Sequence, residues 1–195
     1  MSNKPEEASS CEDNWQYSLH VVAFLDVLGQ REAFHKINGV PRDAEGKTQL
    51  IEVLKKTIGF VPKFRQGFKD IFERYAESTG KEKEIPEQFR PEFLKMRRSS
   101  IKLYGLSDAI VAWTSLMEDD QCVPLNSLYG ILMASAGMFA LSLACKHAIR
   151  GGIELAGAIT LEPDSVEIYG PALLKAHDLE SKIAKYPRVV IGDEL

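Results

Sequence analysis

Residues 21–30, VVAFLDVLGQ, constrain this chain more than any other stretch. Five apolar residues run straight into Asp26, and a turn follows at Gly29. A run with this β-branched and aromatic content reads as a strand over 17–28, buried within a sheet. A carboxylate before the exit of such a strand asks for a reason, because a buried charge is costly unless something pairs with it.

The rest of the chain supplies the layers around that strand. A short helix is expected from Gln30 to Ile37, and the Asn-Gly and Pro content of 38–43 marks a loop. Helical spacing runs over 45–77, with Pro62 expected to kink or split it. Another short helix is expected over 87–98. SIKLYGLSDAIVAWTSL (100–116) reads as a β-hairpin about a tight Gly-Leu-Ser turn. An apolar helix is expected over 125–149, stopped by Arg150-Gly151-Gly152. Strands over 152–161 and 165–170 follow, then a helix entered at Gly170-Pro171 and running to about Lys185, and a last strand in RVVIGDEL. This order predicts an α+β fold of ferredoxin-like type, with a mostly antiparallel sheet and helices on one face.

At 195 residues the chain is expected to form one domain over 17–195, after a polar, disordered lead at 1–16 and with a helical insertion at 40–98. The net charge of −4 offers no field for nucleic acid or an anionic membrane, and the cluster Lys95, Arg97, Arg98 is too short to change that. The apolar helix holds Asn126, Ser127, Ser135, Ser142 and Lys146, which suits a core helix better than a membrane span. Cys11, Cys122 and Cys145 have no metal-ligand spacing, and Cys145 reads as a small core hydrophobe. A cytoplasmic location is therefore expected.

Asp26 ends the first strand, and Asp108 follows the hairpin turn. If those strands adjoin, the two carboxylates could face each other, and their repulsion would raise a pKa. A hard divalent cation resolves that conflict, since Mg²⁺ takes one or two carboxylates together with substrate phosphates. Backbone amides of the Gly29–Gln30 turn would suit a phosphate. Taken singly, either Asp reads more readily as a turn or helix cap; the pair on adjoining strands favours a metal.

Four segments in order resemble motifs of the class III nucleotidyl cyclases: FLDVLG, YGLSDAIVAW, RGGIELAGAI and VEIYGPALLKAHDLESKIA. The similarity covers about residues 19–195 apart from the insertion. It implies that Asp26 and Asp108 are catalytic and bind two Mn²⁺ or Mg²⁺ ions, with the Val27 carbonyl as a further ligand. It also implies a nucleoside triphosphate substrate, whose phosphates the Gly29 and Gln30 amides would suit, and sites that form between the subunits of a homodimer. Two positions read the base in this family, here Tyr104 and Glu167. A hydroxyl that donates and accepts, beside an acceptor-only carboxylate, satisfies uracil or cytosine. The GPALLKAHDLES and YPRVVIG segments resemble the bacterial pyrimidine cyclases of anti-phage signalling. That implies UTP, or alternatively CTP, as substrate and a separate effector that the cyclic product activates.

The family's ribose-orienting Asn and transition-state Arg fall here on Leu174 and Asp178, which can do neither task. Lys175 and Lys182 are possible substitutes, and His177 a possible acid or base. The family usually continues into further strands carrying a phosphate-binding lysine; either this branch dispenses with them or the domain extends beyond Leu195. A non-catalytic nucleotide-binding sensor and an unrelated interaction domain are the competing readings.

Overall fold

The computed structural model describes residues 15–30, 35, 39–76, 81–96, 101–118, 121–122, 126–161 and 165–195. Most of the lead, most of the expected 30–37 helix, Cys11 and the side chains of Lys95, Arg97 and Arg98 lie outside these. The first strand, β1, spans Gln16–Val27. Helices α1 (Ala44–Thr57), α2 (Phe60–Ala76) and α3 (Arg90–Met96) follow. Next come β2 (Lys102–Leu106) and β3 (Ala109–Ser115), then the two-residue strands β4 (Met117–Glu118) and β5 (Gln121–Cys122). The chain continues with α4 (Asn126–Ala144), β6 (Ile149–Thr160), α5 (Pro171–Asp178) and β7 (Val189–Ile191).

The main sheet has the order β2-β3-β1-β6-β7 and is antiparallel apart from the parallel β6–β7 pair. As expected from its apolar run, β1 is central. Its alternate side chains feed two cores. Val21, Ala23, Leu25 and Val27 meet Phe64, Phe68 and Phe72 of α2 and Ile131, Ala134 and Met138 of α4. The three phenylalanines recur every four residues, which aligns them on one helix face. Val22 and Phe24 point the other way, against Ile168 and against Ala172 and Ala176 of α5. Helices therefore cover both faces of the sheet, not one. Alternation along β1 requires this, because a strand apolar at every position must be buried on both sides.

Several boundaries differ from expectation for identifiable reasons. The 45–77 segment does break, but at Ile58-Gly59. Pro62 sits in the first turn of α2, where no intrahelical partner needs its missing amide proton. Helix α4 ends at Ala144, well before the Gly pair: Lys146 adopts a left-handed φ of 62°, and the His147 amide donates to the Ser142 carbonyl at 2.8 Å. That is a Schellman-type stop made without glycine. Cys145 consequently lies in the exposed turn and is a free thiol rather than a core residue. Arg150, Gly151 and Gly152 belong to β6. The segment 165–170 forms a single bridge, Tyr169 to Ile159, in place of a strand. The last helix is helical to Asp178 and continues as a π-turn over Leu179–Ile183. Helix α4 is long and apolar enough by composition to cross a membrane, yet Ile131, Ala134 and Met138 on it are core residues.

Candidate active site

The two acids come together as the sequence suggested. The β1–β3 register sets Asp26 opposite Ala109, and the Val27 amide donates to the Asp108 carbonyl at 3.4 Å. Leu106 pairs with Ala109, so the hairpin loop is the dipeptide Ser107-Asp108, one step beyond the expected Gly-Leu-Ser turn. Ser107 takes a positive φ of 54° and Asp108 does not, the pattern of a type II′ turn. Asp108 thus sits in the turn itself. The turn is also gripped from α2: Arg65 donates to the Ser107 carbonyl at 3.0 Å and to the Ala109 carbonyl at 3.4 Å.

Asp26, Val27, Leu28, Gly29, Gln30, Ser107 and Asp108 line one cavity of about 490 Å³, together with His35 and Arg150. Burial, then the negative charges of Asp108 and Glu180, push the Asp26 carboxyl up to about 6, while Arg150 opposes them. Gly29 turns the chain at a φ of 89°, which a residue with a Cβ adopts only under strain. Gln30 is buried, and its side-chain carbonyl oxygen has no hydrogen-bond partner among the described residues. Two mutually repelling carboxylates beside an orphaned buried acceptor form a hard, oxygen-only donor set, and that fits a Mg²⁺ or Mn²⁺ ion. Among the described residues no three His, Cys, Asp or Glu side chains cluster as a metal cage. Two carboxylates would supply only part of such an ion's coordination, and oxygens of a bound phosphate would suit the rest.

Sequence reasoning missed the cation in this cavity. The β1–β6 register places Arg150 directly opposite Asp26, and its guanidinium lies 3.4 Å from that carboxylate. Its Nε also pairs with Glu180, a carboxylate buried in the π-turn. Gly152, one place further on this face, explains the Gly pair: a Cβ there would lie 2.2 Å from the Ala176 carbonyl oxygen. Only glycine lets α5 settle close enough to bring Glu180 to Arg150.

Tyr104 and Glu167 also come together, in a second cavity of about 370 Å³ on the same sheet face. Phe24 lines this one and Asp26 the first, two residues apart along β1, so the cavities are neighbours. Trp113 donates its indole N–H to the Val166 carbonyl at 3.2 Å, and the Ile159–Tyr169 bridge fixes the other end of the segment that carries Glu167. Tyr169, not foreseen, donates its hydroxyl to Glu167 Oε2 at 2.7 Å; that bond and the carboxylate's charge raise the Tyr169 pKa. His177 lines the pocket and meets Phe24 edge-on, with ring centroids 5.0 Å apart. Leu174 is there too, 65% exposed. Asp178 bonds Lys182 at 2.7 Å, and Lys175 lies 3.9 Å from Glu194, so neither lysine is directed at the acids.

No family model and no curated protein matches this sequence. Solved structures do. The catalytic core of a rhodopsin-guanylyl cyclase with converted specificity, crystallised with ATPαS, superimposes with a TM-score of 0.58. Sequence identity is 12%, over 92% of this chain and 80% of that one. A bacterial light-regulated adenylyl cyclase gives a TM-score of 0.51 at 11% identity, over 89% of this chain and 43% of that one. With both sides of the sheet, the hairpin and the crossover helices accounted for, the chain has the class III nucleotidyl cyclase fold.

Proposed function

We propose that the protein is a metal-dependent nucleotidyl cyclase that converts a pyrimidine nucleoside triphosphate, UTP in preference to CTP, into its cyclic 3′,5′-monophosphate and diphosphate. The observation that carries this reading is the adjacency, on one sheet face, of the Asp26–Asp108 cavity and the Tyr104–Glu167 pocket. Divalent ions held by Asp26, Asp108 and the Val27 carbonyl would neutralise the triphosphate and acidify the ribose 3′-hydroxyl. In the reaction the 3′-oxygen bonds to the α-phosphorus, the bond to diphosphate breaks, and the hydroxyl proton passes to solvent. The protein's own part is chiefly placement and charge: the reaction needs electrostatic stabilisation more than a special nucleophile. Arg150 keeps Asp26 oriented and offsets its charge before the ligand arrives. Once the carboxylate is engaged, the Glu180 contact keeps the guanidinium in place.

The base would lie against Phe24 and His177. Glu167 spends one carboxylate oxygen on Tyr169 and offers the other as an acceptor. Uracil presents N3–H to that oxygen and O4 to the Tyr104 hydroxyl; cytosine presents its amino group and N3. Tyr104 also narrows the pocket against a purine. Leu106, Tyr169 and Leu174 are exposed around this mouth, an apolar rim that a second copy of the chain would cover, consistent with a homodimer sharing its sites. We assign the product the role of an anti-phage second messenger read by a separate effector, on the motif resemblance.

One observation favours the sensor reading: Leu174 and Asp178 supply neither a hydrogen bond to ribose nor a positive charge. Incubation with Mn²⁺ and each of the four nucleoside triphosphates, with products read by mass, decides between them. A cyclic monophosphate from UTP or CTP alone supports the proposal. Bound nucleotide without product supports the sensor.

A further inference from the structure

On the opposite side of the sheet, a depression of about 930 Å³ lies where α1 and α2 meet α4. Its floor is apolar, formed by Phe60, Phe64, Met138 and Leu141, and Leu141 is 53% exposed. Phe60 is propped by His147, whose ring stacks on it at 4.0 Å. Lys55, Lys56 and Lys63 line it as well, and among the described residues no carboxylate does. None of these lysines is paired with an acid among the described residues.

These features conflict with a plain solvated surface. A solvated lysine face does not require exposed leucine beside it. Three uncompensated positive charges in a chain of net charge −4 give the depression a local field of the opposite sign. Its volume lies in the range of small-molecule sites.

We infer that this depression binds a small anionic amphiphile, a single acyl chain bearing a carboxylate or phosphate head. The chain would cover Phe60, Met138 and Leu141, and the lysines would hold the head at the rim. The lysine stems add apolar contact along the way. This site is independent of the nucleotide reading, and its test does not use turnover.

Dodecanoate, below its micelle concentration, is the probe, titrated calorimetrically into the full chain. We expect saturable one-to-one binding, with dodecanol and acetate each at least about tenfold weaker, a difference of about 1.4 kcal/mol. Lys55→Glu/Lys56→Glu/Lys63→Glu and, separately, Leu141→Asp alter exposed residues, so both should keep the wild-type circular dichroism and lose at least tenfold in affinity. Cys145 also lines the depression and is free. In a Cys11→Ser/Cys122→Ser background, saturating dodecanoate should slow its reaction with a thiol reagent. Equal binding of dodecanol, undiminished affinity in either folded variant, or an unchanged Cys145 rate would overturn the inference. Binding to anionic vesicles without binding of monomeric dodecanoate would overturn it too, making this a peripheral membrane face.

Discussion

The two faces of the sheet are built to different standards. Towards α2 and α4, Phe64, Phe68 and Phe72 are wholly buried and interlock with Ile131 and Met138. Towards α5, a helix of eight residues covers only part of the sheet, and Tyr104, Leu106, Tyr169 and Leu174 remain exposed. Both carboxylates of the candidate site and both candidate base contacts belong to the thinly covered side. Stability and chemistry are thereby separated: one face supplies packing, and the other leaves room and retains charge repulsion that close packing would not tolerate.

The sharpest way to break this contrast is at the acids. Asp26→Asn and Asp108→Asn should each lower turnover by at least about 10²–10³-fold, the scale of losing a principal electrostatic contact to the transition state. Near-UV circular dichroism should stay native. Turnover within tenfold of wild type in either variant would remove the two-metal assignment.

On the closed face the loss should be of stability. Phe68→Ala removes a fully buried ring between α2, α4 and the sheet and should cost about 3–5 kcal/mol in denaturant unfolding. Leu174→Ala, on the open face, should fall within about 0.5 kcal/mol in the monomer. A similar cost at both positions would mean that α5 packs as firmly as α2.

Asp26 links the two themes. Its carboxyl is raised from an ordinary 3.8 to about 6, so the folded protein binds that proton more tightly than the unfolded chain does. This group's contribution is therefore fully favourable below about pH 4. It is lost as pH rises through about 6, and above that a penalty of about 2–3 kcal/mol persists. Asn imitates the protonated state. Asp26→Asn should unfold at higher denaturant than wild type at pH 7, with the gap closing towards pH 4. A gap that widens on acidification would mean that Arg150 over-compensates burial and the Asp108 and Glu180 charges.

How much of this could be read beforehand follows from the range over which each feature is determined. The apolar run of β1, the hairpin and the first-turn proline of α5 are local patterns, and they appear as read, with the hairpin turn displaced by one step. Asp26 and Asp108 were legible because a hairpin and a central strand leave few ways to pair. Arg150 was not: it stands 124 positions from Asp26 in sequence, and its placement depends on the β1–β6 register. The end of α4 was misread because its stop is Lys146 in a conformation usually given to glycine. Tyr169 shared a face with Glu167 by simple alternation, a signal present in VEIYG and overlooked because the segment pairs through only one bridge.

The mildest perturbation tests what Tyr169 does. Its hydroxyl bonds Glu167 at the exposed edge of the pocket, where water competes, so the bond adds little to stability. A base bound there would change that by displacing water and leaving Glu167 to be oriented by Tyr169 alone. Tyr169→Phe keeps the ring and frees the carboxylate. It should raise KM for the preferred pyrimidine triphosphate about three- to tenfold, the worth of one hydrogen bond to a charged group, with kcat nearly unchanged. Tyr104→Lys should instead shift selectivity away from pyrimidines, because it removes the ring that narrows the pocket against a purine. If Tyr169→Phe lowers kcat and leaves KM alone, the hydroxyl acts on the reacting centre and not on the base. The two cavities would then have to be treated as one site.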